Sequence, residues 1–112
     1  DTYQCTWWAA TRRADIGKPI PGWGNAATWA GSAASAGYTV DGSPSAGSVI
    51  VFQPGVLGAS ADYGHVAMVE EVRGDGSILI SESNALGLGV VSTREISASQ
   101  LAAAGNGVRY IH

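Results

Sequence analysis

Three residue types in this chain can do acid–base or nucleophilic chemistry together, and two of them are scarce. Cys5 is the only cysteine, and His65 and His112 are the only histidines. A lone cysteine cannot close an intrachain disulfide, so it is inert packing, half of an intermolecular bridge, a metal ligand or a nucleophile. Its position favours the last. Cys5 opens a helical run to about Ile16, and the first N–H groups of a helix are unpaired and carry the positive end of its dipole. A thiolate there is stabilised, the more so beside an imidazolium. His112 ends an apolar run, Val108 to Ile111, and reads as a strand end or frayed terminus. His65 follows Gly64 and opens HVAMVEEV. A glycine allows a sharp turn just before the strand, which sets the imidazole at a strand tip facing a cleft. One helix-start cysteine and one strand-start histidine are the parts of a thiol–imidazole pair.

Such a pair needs a group to orient the imidazole. In GSILISESNALG, alternation puts Ile78, Ile80, Glu82 and Asn84 on one strand face. An acid following two isoleucines towards a core needs a partner, and an imidazole holding its Nδ1–H in one direction is a suitable one. Asn84 is the alternative orienter, since an asparagine can also hold an imidazole.

The elements that must position these groups follow from the local signals. Helix 1 runs from Cys5 to about Ile16. Gly17, Pro19, Pro21 and Gly22 force a loop. Asn25 is the expected cap of a second helix through about Ala36, with Gly37 past its end. Val49 to Phe52 is a short buried strand, and Pro54 to Gly64 a long loop suited to a cleft wall. His65 to Val72 and Ser77 to Glu82 form a hairpin around Arg73-Gly74-Asp75-Gly76, where the Asp-Gly pair signals the turn. Gly89 to Ile96 is a further strand, Ser97 or Ser99 starts a short helix through Ala104, and Val108 to Ile111 closes the sheet. Helices first and clustered strands after make an α+β domain, mainly antiparallel, spanning residues 1–112.

Composition agrees with a packed domain and removes several function classes. Of 112 residues, 46% are hydrophobic and 13% charged, which is not a disordered composition. No apolar run approaches the ~20 residues of a membrane-spanning helix, and no signal peptide is visible. The net charge is −3, and basic residues do not cluster beyond Arg12-Arg13, so no nucleic-acid partner is expected. Cys5 and His65 do not make the four-ligand set of a structural zinc site; no metal and no cofactor are expected.

The ordered blocks YQCTWWAATRR, GNAATWAGSAASAGY, SAGSVIVF, YGHVAMVEEV and GSILISESN, with a closing YIH, span nearly the whole chain. In this order they resemble the CHAP family, the cysteine- and histidine-dependent amidohydrolases/peptidases of bacterial and phage cell-wall enzymes. The resemblance implies a papain-like fold, with N-terminal helices packed on the sheet. It implies Cys5 as nucleophile, His65 as base and Glu82 as the acid, with Asn84 at a further polar position. Some phage members carry a calcium loop of acidic residues around the cysteine. Here Trp7 stands two residues after Cys5 and only Asp1 lies upstream, so that loop is not expected.

By the same resemblance the substrate is bacterial peptidoglycan and the chain is secreted or wall-associated. It reads as an excised or processed domain whose signal and wall-targeting modules lie elsewhere. The oxyanion donors would be the Cys5 N–H and the side chain of Gln4. Among the aromatics, Tyr63 is two residues before His65, Trp8 shares the Cys5 helix face and Trp23 lies in a loop. These are the candidate substrate contacts, while Trp29 is expected in the core. Cleavage in the stem peptide or cross-bridge is the favoured activity. The alternatives are an N-acetylmuramoyl-L-alanine amidase, a catalytically weak wall-binding or scaffold domain, and a small-molecule amidase or toxin.

Overall fold

The computed structural model describes residues 5–83 and 90–112. Helix α1 is Cys5–Asp15. Its inward residues Ala9 and Arg13, one helical turn apart, are both buried. A methyl group at Ala9 lets the helix lie close on the sheet. The second helical region is not one continuous helix. A 3-10 turn, Ala26–Thr28, precedes helix α2, Trp29–Ser35. Asn25 has the extended backbone of a cap but makes no side-chain capping bond. Two competing bonds account for the break. Thr28 Oγ1 donates to the carbonyls of Trp23 and Asn25, at 3.0 and 2.7 Å, the local alternative that short polar side chains offer a helix. The Ala27 N–H donates to Tyr63 O at 2.8 Å, which fastens this turn to the segment just before His65.

The strands are β1 (Val40–Asp41), β2 (Val49–Phe52), β3 (His65–Val72), β4 (Ile78–Ser83), β5 (Val91–Ile96) and β6 (Val108–Ile111). They form one sheet in the order β1-β6-β2-β3-β4-β5, and every pair is antiparallel. The last strand, expected to close the sheet, joins it in the interior. It inserts between β1 and β2, and the short β1, too brief to show periodicity, becomes the edge.

Both faces of the sheet are covered. Val49, Val51, Val66, Met68 and Ile111 join Ala9, Trp29 and Ala33 beneath α1 and α2. Ile50, Phe52, Ala67, Val69, Ile78 and Ile80 alternate onto the other face. There Val56 and Leu57 of the 54–64 loop pack against them, with Leu101 of helix α3 (Ala98–Ala104). Ser97 caps α3 with a reciprocal box: its Oγ accepts from Gln100 N, and Gln100 Oε1 accepts from Ser97 N.

Two local devices bear on the site. The β3–β4 ladder bulges between Val69 and Glu71, leaving Glu70 as the extra residue. Its carboxylate takes the forked guanidinium of Arg12 on α1, at 2.9 and 3.1 Å, and the Ser81 hydroxyl at 2.6 Å. Arg13, 2% exposed, donates to the carbonyls of Lys18, Gly47, Ile111 and His112. Burial holds its pKa below the usual arginine value, and no side-chain carboxylate is among these acceptors. It locks the end of α1 to β6 and to the turn before β2.

Candidate active site

The thiol, the imidazole and the carboxylate come from three elements that the sheet brings to one end. Cys5 is the first residue of α1, His65 the first of β3, and Glu82 is near the end of β4. Gly64 turns the chain into β3 with φ +73°. A Cβ there would lie 2.5 Å from Phe52 O, so only glycine lets the backbone pass β2 and deliver His65. Ile78 and Ile80 pack into the core on the face away from α1 and α2. Glu82 follows on the same face by alternation and is buried with them.

His65 Nε2 lies 2.9 Å from Glu82 Oε1. This differs from the Nδ1 contact expected from sequence. The acid rises from the neighbouring strand and meets the distal ring nitrogen, and the Cys5 thiol is the other titratable neighbour of the ring. Burial pushes the Cys5 thiol up, but the bond to His65, the backbone bonds from Val66 and Thr6, and the charge of His65 bring its pKa below the ordinary value. Burial alone would depress His65. Its bonds to Cys5 and Glu82, and the charges of both, instead raise its pKa from 6.5 to about 9. Burial likewise opposes ionisation of Glu82, but His65 and Arg94 hold its pKa below the usual carboxylate value. The Cys5 and His65 shifts both run towards a thiolate–imidazolium pair, and that of Glu82 towards an ionised carboxylate.

Arg94, on β5, is a contact of Glu82 that the sequence reading does not include. Its Nε donates to Glu82 Oε2 at 3.0 Å and its Nη2 to Oε1 at 3.1 Å. The signal was present in the pattern. Arg94 and Ile96 share a strand face, and Ile96 is buried, so an arginine two residues earlier points towards the same acid-bearing face. Phe52, expected only as part of a buried strand, also reaches the site. Its ring stacks on His65 with centroids 5.5 Å apart.

The other candidates are placed as follows. Gln4 and Asn84 lie outside the described residues. Tyr63 is exposed at 58%, beside the Gly64 turn. Trp8 is half-buried against the helix-side core and donates its indole N–H to Ser81 Oγ at 2.9 Å. Trp23 is also half-buried, edge-on to Trp29 and Tyr38 at 5.5 and 5.4 Å, so much of its ring is engaged in packing. Trp29 is fully buried. His112 is not frayed: its N–H donates to Thr39 O, its Nδ1 meets Ser45 Oγ at 2.8 Å and its Nε2 meets Asp41 Oδ1 at 2.7 Å. It sits at the β1–β6 edge, with both ring nitrogens occupied. Among the described residues, no three His, Cys, Asp or Glu side chains gather as a metal site, and no helix is long and apolar enough to cross a membrane.

The family model described as "CHAP domain" matches residues 1–84. The chain belongs to the CHAP domain family. It is 54% identical over 82 residues to the probable autolysin SsaALP of Staphylococcus aureus, covering 72% of this chain and 29% of that protein. It is 46% identical over 110 residues to the staphylococcal secretory antigen ssaA2 of the same species, covering 97% of this chain and 37% of the antigen. Among solved structures, an N-acetylmuramoyl-L-alanine amidase from Staphylococcus aureus superposes with a TM-score of 0.91 at 41% identity, covering 98% of this chain and 30% of the amidase chain. The CHAP chain thus spans about a third of these relatives, and its α+β fold is that of the amidase structure.

Proposed function

We propose that this CHAP domain hydrolyses an amide bond of peptidoglycan by thiol acyl transfer. The observation that carries the reading is the meeting of Cys5, His65 and Glu82 at one end of the sheet, with the imidazole held at Nε2 by a buried acid and the thiol pKa lowered by His65. The names of the relatives, an autolysin and an amidase, point to the cell wall as the site of action. A secretory antigen among them agrees with a secreted or wall-associated protein.

The Cys5 thiolate attacks the amide carbonyl, and the Cys5 N–H at the start of α1 is the proposed donor to the oxyanion that forms. Gln4 is the proposed second donor. His65, as imidazolium, gives its proton to the leaving amine and then takes one from the water that cleaves the thioester. Glu82 keeps Nε2–H fixed throughout and stabilises the charged ring. Asn84 is proposed to support it. Tyr63, exposed beside His65, is the proposed substrate contact, with Trp8 and Trp23 contributing the edges that packing leaves open.

We favour a bond in the stem peptide or cross-bridge. A second reading, cleavage between the lactyl group and the first alanine, is favoured by the name of the related amidase; this chain, however, matches only 30% of that protein. Digestion of purified peptidoglycan followed by mass spectrometry of the new termini separates the two. New amino groups within the stem or bridge support the endopeptidase, and a free amino group on the first alanine supports the amidase. Soluble products without a new amino terminus overturn both.

A further inference from the structure

We propose that Arg94 is a positioning residue for this reaction, clamping Glu82 so that one carboxylate oxygen faces His65 and tying that acid to the 54–64 loop. The inference rests on the thiol acyl-transfer reading above and extends it to a residue of β5.

Glu82 is 3% exposed in its side chain, so water does little to orient it. A carboxylate held only by one imidazole can still rotate about its last torsion. The Arg94 fork removes that freedom. Nε takes Oε2 and Nη2 takes Oε1, at 3.0 and 3.1 Å, the two-point geometry that a planar guanidinium offers and an ammonium does not. Oε1 is shared, since His65 Nε2 lies 2.9 Å from the same atom. The acid's plane, and with it the imidazole's, is therefore set by β5.

The third arm reaches further. Arg94 Nη1 donates to Leu57 O at 2.9 Å. Leu57 is held at φ 50°, ψ 39°, a left-handed conformation unfavourable for a residue with a Cβ, and it presents its carbonyl to the guanidinium. The guanidinium also lies over the Phe52 ring, 5.6 Å from its centroid, and Phe52 stacks on His65. Arg94 thus contacts the acid and the ring that flank the imidazole, and the 54–64 loop that leads to Tyr63.

Among the described residues, the charged and titratable groups facing His65 are Cys5 from α1, Glu82 from β4 and, across Glu82, Arg94 from β5. Deleting a fixed cation raises the pKa of each neighbour. Arg94→Gln should therefore move both limbs of the pH–kcat/KM profile to higher pH and lower kcat/KM by about tenfold or more through lost orientation. Arg94→Lys keeps the charge without the fork. It should leave the limbs near their wild-type positions while kcat/KM stays reduced.

The companion readout is the pH dependence of Cys5 alkylation by iodoacetamide, which needs no wall substrate. Arg94→Gln should shift that profile upwards as well. A shift there, with no peptidoglycan hydrolysis by the wild type, would overturn the hydrolase reading and leave the clamp standing. An Arg94→Gln protein with a lower melting temperature but unmoved profiles and full kcat/KM shows a merely structural residue and overturns the clamp. If Arg94→Gln does not fold, Arg94→Lys decides: wild-type kcat/KM in a folded lysine variant overturns the proposal, and reduced kcat/KM at an unchanged melting temperature supports it.

Discussion

Replacing Glu82 by glutamine changes one charge and almost no volume, and the structure says how it should fail. His65 owes part of its rise from 6.5 to about 9 to the hydrogen bond and charge of Glu82. An amide keeps shape but not charge, so imidazolium loses that support and its pKa falls. The alkaline limb of the pH–kcat/KM profile should move from about 9 towards neutrality, each pH unit being about 1.4 kcal/mol of lost imidazolium stabilisation. This is opposite in sign to the shift expected on removing Arg94.

The amide also cannot serve both its partners. Glu82 accepts from Arg94 on both oxygens and meets His65 on one, whereas the side chain introduced by Glu82→Gln would turn an NH2 donor towards either the guanidinium or the imidazole. One donor is then left facing another in a buried site. Turnover should fall by roughly 10²–10⁴-fold, the span seen when a positioned acid–base partner is lost. Asn84→Ala should cost less, since a neutral amide supplies orientation alone. Both variants are to be assayed on purified peptidoglycan across pH, with circular dichroism as the folding control. Full activity and an unmoved alkaline limb in Glu82→Gln, beside an inactive Asn84→Ala, would refute the reasoning and make the asparagine the orienter.

Gly64→Ala should displace His65, because the new methyl meets Phe52 O at 2.5 Å and φ is +73°; we expect a loss of roughly 2 kcal/mol or more in denaturant melts and about 10²-fold in kcat/KM. Arg13→Met removes a buried donor set and leaves the carbonyls of Lys18, Gly47, Ile111 and His112 short of a partner; a loss of about 2–4 kcal/mol is expected in the same melts, and stability within about 0.5 kcal/mol of wild type would contradict the role. Activity should survive EDTA, since the thiol–imidazole chemistry needs no metal; loss of activity restored by calcium would show a site involving the region around Asp1.

The parts of the site legible in the sequence are those carried by rare residues and simple periods. One cysteine and one glycine-preceded histidine left few choices, and strict alternation from Ile78 through Ile80 put Glu82 on the buried face. The β3–β4 hairpin was legible for a similar reason. Asp75 Oδ1 accepts from Ser77 N and Oγ at 2.9 and 2.6 Å, and Gly76 sits at φ +87°, the local chemistry that an Asp-Gly-Ser string encodes.

What the sequence withheld depends on contacts between distant segments. The insertion of β6 between β1 and β2 is a choice of partner, and Val108 to Ile111 carries no mark of which strand it will join. The break before α2 arises because Ala27 N–H finds Tyr63 O, a partner far along the chain. A lone arginine on a strand reads as surface; Arg94 reaches Glu82 only because β5 pairs with β4 and Ile80 stands opposite it. The choice of imidazole nitrogen likewise follows from which strand supplies the acid.

The most direct test of the central claim compares wild type with Cys5→Ala on purified peptidoglycan, with release of new amino termini and the rate of Cys5 alkylation followed together. The account predicts that Cys5→Ala keeps the wild-type circular dichroism spectrum and releases no new termini. It also predicts that iodoacetamide inactivates the wild type at neutral pH faster than an ordinary thiol reacts. New amino termini released by folded Cys5→Ala at near the wild-type rate would contradict it.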